Sequence, residues 1–123
     1  MLLNNFYTVD ELTKSENELQ ASIHFHPEHE IFEGHFPGQP VVPGVCMVQI
    51  VKEFMQLVCE EKLLFSKGNQ IKFLQLLVPN SEEAIQVHVS WKKEDNSFLT
   101  NADFKKENVP VFKLSGTFSS STA

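Results

Sequence analysis

The sequence predicts an α+β fold, an antiparallel sheet packed around one long central helix. Three observations carry this expectation. Apolar residues recur at three- and four-residue steps in one long stretch, from Gly44 to about Leu64. On either side, apolar and polar residues alternate with a period of two, as half-buried strands do. Short polar turns separate the strands after the helix, which makes that half a meander.

Taken in order, Asn5 to Leu12 and Leu19 to Phe25 read as strands, joined by a turn at Ser15-Glu16-Asn17. A loop follows, about residues 27 to 43. It holds four of the six prolines and, with Gly44, three of the five glycines. Pro43 stands just before the helix, where a proline is tolerated. Within the helix Val48, Val51, Phe54 or Met55, and Val58 share the apolar face, and Gln49, Lys52, Glu53, Gln56 and Glu60 form the polar one. Lys67-Gly68 ends the helical half, and Ile71 to Val78 reads as a strand. Next, Ile85, Val87, Val89 and Trp91 alternate with Gln86, His88 and Ser90. Glu94 to Ser97 turns the chain into Phe98, Thr100, Ala102 and Phe104. Glu107-Asn108 turns it again into Val111 to Phe118, and Ser119 to Ala123 reads as a frayed tail. Phe25, Phe73, Phe98 and Phe104 are expected in the core. With no internal repeat or linker, residues 1–123 are read as a single domain.

Composition narrows the function classes. The formal net charge is -6, from sixteen acidic residues against ten lysines and no arginine. A nucleic-acid binder wants a basic stripe, so that class is excluded. Without arginine, any phosphate must be met by lysine or backbone N–H groups. Cys46 and Cys59 fall within the one predicted helix, roughly 20 Å apart along its axis. A disulfide needs Cα atoms about 4.4–6.8 Å apart, so these two read as free thiols of a reducing compartment. No charged and apolar leader precedes the first strand, and no apolar run approaches the ~18 residues of a membrane span. A cytoplasmic protein is expected.

The loop carries the chemistry. In His35-Phe36-Pro37-Gly38-Gln39-Pro40-Val41-Val42-Pro43-Gly44-Val45, a lone histidine sits among residues that stiffen the backbone or permit its close approach. Such a loop, ending at a helix start, can hold an imidazole against a small ligand or serve as a rigid connector. The run from Phe32 to Val51, FEGHFPGQPVVPGVCMVQIV, closely resembles the active-site segment of the β-hydroxyacyl-ACP dehydratases, whose fold is the hotdog fold. The order of strand, loop, long helix and meander agrees with that fold. Ile71 to Pro79 is similar to the family's strand after the helix, with Leu74 where the family often has arginine and Pro79-Asn80-Ser81 in place of Pro-Gly-Asp.

The resemblance implies a (3R)-hydroxyacyl chain in thioester linkage to an acyl carrier protein, loss of water as the reaction, and no cofactor or metal. His35 matches the base that removes the proton alpha to the thioester. Gly44 and Val45 match the helix start that offers N–H groups to the thioester oxygen. Phe32 and Phe36, beside the base, match residues lining the acyl site, and core packing is an equal reading for both. Fourteen residues after its histidine the family carries a glutamate or aspartate that acts across a dimer interface. Here that position is Gln49, which can donate and accept hydrogen bonds but cannot deliver a proton. Four readings follow: a dehydratase in which His35 carries the proton and Gln49 orients the hydroxyl; a hetero-oligomer in which a related hotdog subunit supplies the acid; an acyl-ACP thioesterase; and a non-catalytic acyl-binding module.

Two further features carry less. His24, His26 and His29 fit strand positions facing solvent or an interface better than a metal site, which needs further fixed ligands. Docking an acidic carrier protein would need a basic patch. The candidates, Lys92-Lys93 and Lys105-Lys106, lie at opposite ends of one hairpin.

Overall fold

The computed structural model describes residues 2–34, 41–80 and 82–120. The elements are β1 (Tyr7–Lys14), β2 (Glu18–Phe25), a 3₁₀ turn (Glu30–Gly34), α1 (Gly44–Cys59), β3 (Leu63–Phe73), β4 (Ile85–Glu94), β5 (Ser97–Lys106) and β6 (Val109–Ser120). The six strands form one antiparallel sheet in the order β1-β2-β4-β5-β6-β3. The chain has the hotdog fold expected of it, a sheet folded about one helix.

The period-two alternation sets the inner face. Leu19, Ala21, Ile23 and Phe25 of β2, Ile85, Val87, Val89 and Trp91 of β4, and Phe98, Ala102 and Phe104 of β5 are all buried. They share one core with Ile50, Val51, Phe54 and Met55 of α1. Each such side chain taken fully out of water is worth about 1.5–3 kcal/mol. Cross-strand partners fix the register, with Phe104 opposite both Val87 and Phe112, and Phe98 opposite Phe118. At the β5–β6 turn Glu107 and Asn108 both take positive φ, 50° and 66°. That is the backbone a tight two-residue hairpin requires.

Several boundaries differ from the sequence reading. The helix stops at Cys59 rather than near Leu64. Glu60 adopts left-handed φ 56°, ψ 37°, and its N–H donates to the Gln56 carbonyl at 2.9 Å. The Gln56 side-chain oxygen then accepts from the Leu63 N–H at 2.9 Å and starts the next strand. Leu63, Leu64 and Phe65 prolong the helical pattern in sequence but belong to β3, since a short apolar run suits either period. Lys67-Gly68 is no turn. It lies inside β3, where the register against β6 slips between Phe65 and Lys67 and again between Gly68 and Gln70. These bulges bend an edge strand. The ladder ends at Phe73, so the expected strand to Val78 is shorter at its far end. Phe73, expected in the core, is 60% exposed at that edge. At the other boundaries, β1 begins at Tyr7 and runs to Lys14, and Ser119 and Ser120 are paired in β6 rather than frayed, with 121–123 outside the described residues. Cys46 and Cys59 both lie in α1 as free thiols.

Gly116 makes the bulged pairing possible. A Cβ there would lie 2.6 Å from the Lys67 carbonyl oxygen and 2.7 Å from the Phe65 ring. Gly116→Ala is therefore expected to destabilise the protein by about 1–3 kcal/mol, the usual cost of overpacking. Chemical denaturation of the two proteins would read it, and an unchanged midpoint would refute this account of the β3–β6 pairing.

Candidate active site

His35 and Phe36, with Pro37 to Pro40, lie outside the described residues, as does Ser81. Both flanks of the motif are described, and both are anchored. Upstream, the 3₁₀ turn follows His29, whose N–H donates to the His26 carbonyl at 3.1 Å, and the Phe32 N–H donates to the His29 carbonyl at 3.0 Å. Phe6 gathers the aromatic side chains here. It stacks on Phe32 at 4.9 Å and meets His29 and Phe25 edge-on at 5.3 and 5.6 Å. Phe32 is thus 5% exposed and packs in the core cluster. Downstream, Val41 and Val42 are buried, and the Val42 N–H donates to the Leu77 carbonyl at 2.7 Å.

The chain then enters α1 through Pro43, whose extended φ -64°, ψ 144° is that of a helix cap. Proline has no polar side chain to cap with, and no side-chain cap bond is made at this residue. The Cys46 and Met47 N–H groups reach the Pro43 carbonyl, at 3.0 and 3.4 Å. The Gly44 and Val45 N–H groups have no acceptor among the described residues. Val45 is 78% exposed. This end of α1 therefore presents two adjacent donors and the positive end of the helix dipole. The Phe73 ring lies against Gly44, so closely that a Cβ there would overlap it.

Gln49 lies on the second turn, half-buried, and its amide nitrogen donates to Glu53 Oε2 at 2.9 Å. Glu53 is the residue that sequence reasoning misplaced. It reads as part of a solvated polar face, yet it is 2% exposed. The Leu2 N–H donates to its Oε2 at 2.8 Å, the Leu3 N–H to Oε1 at 3.0 Å, and the Tyr7 hydroxyl to Oε1 at 3.1 Å. A carboxylate has about four acceptor positions, and here four donors fill them. The local fold explains the delivery. Asn4 takes φ 70°, and the Asn5 and Phe6 N–H groups both close on the Leu2 carbonyl, so residues 2–7 coil tightly and aim two free amides at the helix. A signal was available: Ile50 and Cys46, one and two turns before Glu53, are apolar, so Glu53 borders the inner stripe.

The carboxylate affects its neighbours. Burial, then the Glu53 charge, then its hydrogen bond push the Tyr7 hydroxyl far above its ordinary pKa. Burial and the same charge push the Cys46 thiol up. On the outer face of the sheet, His24 Nδ1 pairs with Asp10 at 2.8 Å, His26 bonds the Thr8 hydroxyl at 2.6 Å, and His88 pairs with Glu18 at 3.1 Å. Lys92 reaches Glu94 and Lys106 reaches Glu83, so one lysine of each pair is ion-paired, at separate ends of the hairpin. Among the described residues no helix is long and apolar enough to cross a membrane.

Comparison with known proteins agrees with this architecture. The chain belongs to the ApeI-like dehydratase family, whose model matches residues 11–111 and so takes in the loop, the helix and the strands as far as the start of β6. The 3-hydroxyacyl-[acyl-carrier-protein] dehydratase FabZ of Alkaliphilus metalliredigens is 33% identical over 66 residues, 48% of this chain and 45% of that protein. The FabZ of Legionella pneumophila is 27% identical over 74 residues, 52% of this chain and 49% of that protein. The chain thus spans about half the length of the curated relatives it matches. Among solved structures, the dehydratase heterocomplex ApeI:P of Xenorhabdus doucetiae superposes with a TM-score of 0.75 at 19% identity, covering 91% of this chain and 96% of that one. A hypothetical thioesterase with coenzyme A from Streptococcus pneumoniae superposes with a TM-score of 0.69 at 8% identity, covering 97% and 91%. At these identities the structural likeness speaks for the fold.

Tyr7 is the only tyrosine, so tyrosinate absorbance reports on it alone. Unfolded, it loses its proton near its ordinary 10.0; folded, it holds the proton well beyond that. Its contribution to stability is therefore full below pH 10 and declines above it, by up to about 1.36 kcal/mol per pH unit. Tyrosinate is expected to appear only with unfolding, and Tyr7→Phe to cost about 1.5–3 kcal/mol at neutral pH while removing that slope. Tyrosinate rising near pH 10 in the folded protein would contradict the buried contact.

Proposed function

We propose that this protein removes water from (3R)-3-hydroxyacyl chains held as thioesters on acyl carrier protein, as a cytoplasmic hotdog dimer. One observation carries the reading: the amides of Gly44 and Val45, which have no acceptor among the described residues, at a helix start that follows the Gly34-His35-Phe36-Pro37-Gly38 motif. The family supports it, since its model is that of a dehydratase.

The chemistry follows from those groups. His35 takes the α-proton, and negative charge moves onto the thioester oxygen. The Gly44 and Val45 N–H groups stabilise that charge, and such donors act most strongly on charge that develops in the transition state. The Cα–Cβ double bond forms as the Cβ–O bond breaks, and the proton held on His35 passes to the departing hydroxyl, which leaves as water. Histidine suits both halves because its ordinary pKa lies near working pH. Gln49 orients the hydroxyl.

The dimer is supported by the β3 edge. Ile71, Phe73, Leu74, Leu76 and Val78 are exposed apolar residues on and beyond β3, which has no strand on its far side among the described residues. An edge of that kind invites association unless it is covered. A second reading has its own observation: Gln49 carries no transferable proton and the Glu53 carboxylate is fully occupied, so a related hotdog partner would supply the acid opposite His35.

Incubation with 3-hydroxyacyl and with saturated acyl thioesters tests the assignment. Loss of water from the first is expected, with His35→Ala lowering the rate by about 10²–10⁴. Release of free thiol from the saturated thioester would instead mark a thioesterase, and binding without turnover a module. Activity that appears only on mixing with a related hotdog chain would select the second reading.

A further inference from the structure

Glu53 invites the thought that the family's acid has moved one turn along the helix. Its surroundings argue otherwise. All four acceptor positions of its carboxylate are filled by donors from Leu2, Leu3, Tyr7 and Gln49, and it is 2% exposed. It has neither a free position for a proton nor access to an acyl chain. We propose that Glu53 is a positioning residue: it turns the Gln49 amide so that the carbonyl oxygen Oε1 is the end offered to the acyl site, and that oxygen selects chains with a 3-hydroxyl over chains with a 3-oxo group. This rests on the dehydratase reading in which Gln49 meets the substrate.

The orientation is forced chemically. A carboxylate only accepts, so the amide must turn its NH₂ toward Glu53; the flipped amide would set two acceptors 2.9 Å apart. The Tyr7 hydroxyl and the two backbone amides prevent the carboxylate from rotating to accommodate a flip. Glu53 lies one turn nearer the C-terminus than Gln49, so the nitrogen points along the helix toward it. The oxygen is the end left over, and it has no partner among the described residues. A 3-hydroxyl can donate to that oxygen. A 3-oxo group can only accept, and would leave two acceptors facing each other, the kind of mismatch that discriminates strongly between otherwise similar substrates.

Glu53→Gln is the test. The new amide offers an NH₂ to position 49, which frees the Gln49 amide to reverse. Pantetheine amides bearing 3-hydroxyacyl and 3-oxoacyl chains, in which an amide replaces the thioester, would be titrated calorimetrically into the assembled protein. The wild type is expected to prefer the hydroxy compound, and Glu53→Gln to reduce that preference by about tenfold, the worth of one hydrogen bond of some 1.4 kcal/mol. Exchanging the two residues, Gln49→Glu with Glu53→Gln, restores an acceptor oxygen at position 49 and is expected to restore the preference. A Glu53→Gln ratio unchanged from wild type, or an exchanged pair whose ratio stays at that of Glu53→Gln, would overturn the proposal. Where Glu53→Gln does not fold, the wild type decides by NMR: one of the two Gln49 side-chain amide protons should be protected from solvent exchange, and free exchange of both would refute the contact. Because binding is read without turnover, a wild type that prefers the hydroxy compound yet releases no water would retire the dehydratase reading while leaving the role of Glu53 standing.

Discussion

The buried Glu53 carboxylate is the constraint on which the rest of the helix depends. A charged group in a low-dielectric interior is tolerated only when hydrogen bonds replace its lost water. Here they come from three parts of the chain: Leu2 and Leu3 before the first strand, Tyr7 at the start of β1, and Gln49 on α1 itself. The carboxylate thus couples the amino-terminal coil, the β1 edge and the central helix. Leaving any of those donors unpaired in the interior would cost about 1–3 kcal/mol, so the coil and the rotation of α1 about its axis are fixed together.

That rotation decides what the helix shows on its other sides. With Glu53 turned inward, Ile50, Val51, Phe54 and Met55 fill the core, while Val45 stands in the open and Gln49 is half-covered. The Phe6 cluster performs the matching task upstream, seating the 3₁₀ turn on the core through Phe32 and His29. The Val42–Leu77 hydrogen bond performs it downstream. The histidine motif is therefore spanned between two anchored ends, Gly34 and Val41, and its exit leads directly into the uncapped helix. For the proposed proton transfer, small misplacements of reacting groups would cost rate steeply.

Much of this fold was legible from residue order, because alternation and helical period are local signals. β4 and β5 follow their inward apolar sets, and both hairpins turn where acidic residues and asparagine cluster. What was not legible depends on partners distant in sequence. Leu63 to Phe65 continue a helical pattern, and only pairing with Phe118 to Ser120 makes them a strand. Lys67-Gly68 reads as a turn until Gly116 is placed opposite. Glu53 reads as surface because three of its four donors lie 46 to 51 residues away. In the candidate site, the motif pointed to Gly44, Val45 and Gln49 as candidates, and the structure adds that the first two have no acceptor among the described residues and that the Gln49 amide donates to Glu53. The Tyr7–Glu53 contact had no local signature at all.

The same local logic that closes the core leaves one side of the molecule open. The bulges in β3 bend the edge strand, and past Phe73 the chain leaves the ladder with its apolar side chains still outward. Phe73 lies against Gly44, so this edge and the helix start form one continuous surface. Any chain that covered the β3 edge would also border the two free amides, and would exclude water from them. Excluding water lowers the local dielectric, which strengthens what those amides do for a developing negative charge. On the proposed reading, association along this edge and stabilisation of an enolate would not be separate devices, since burying the apolar edge would itself sharpen the electrostatics of the helix start.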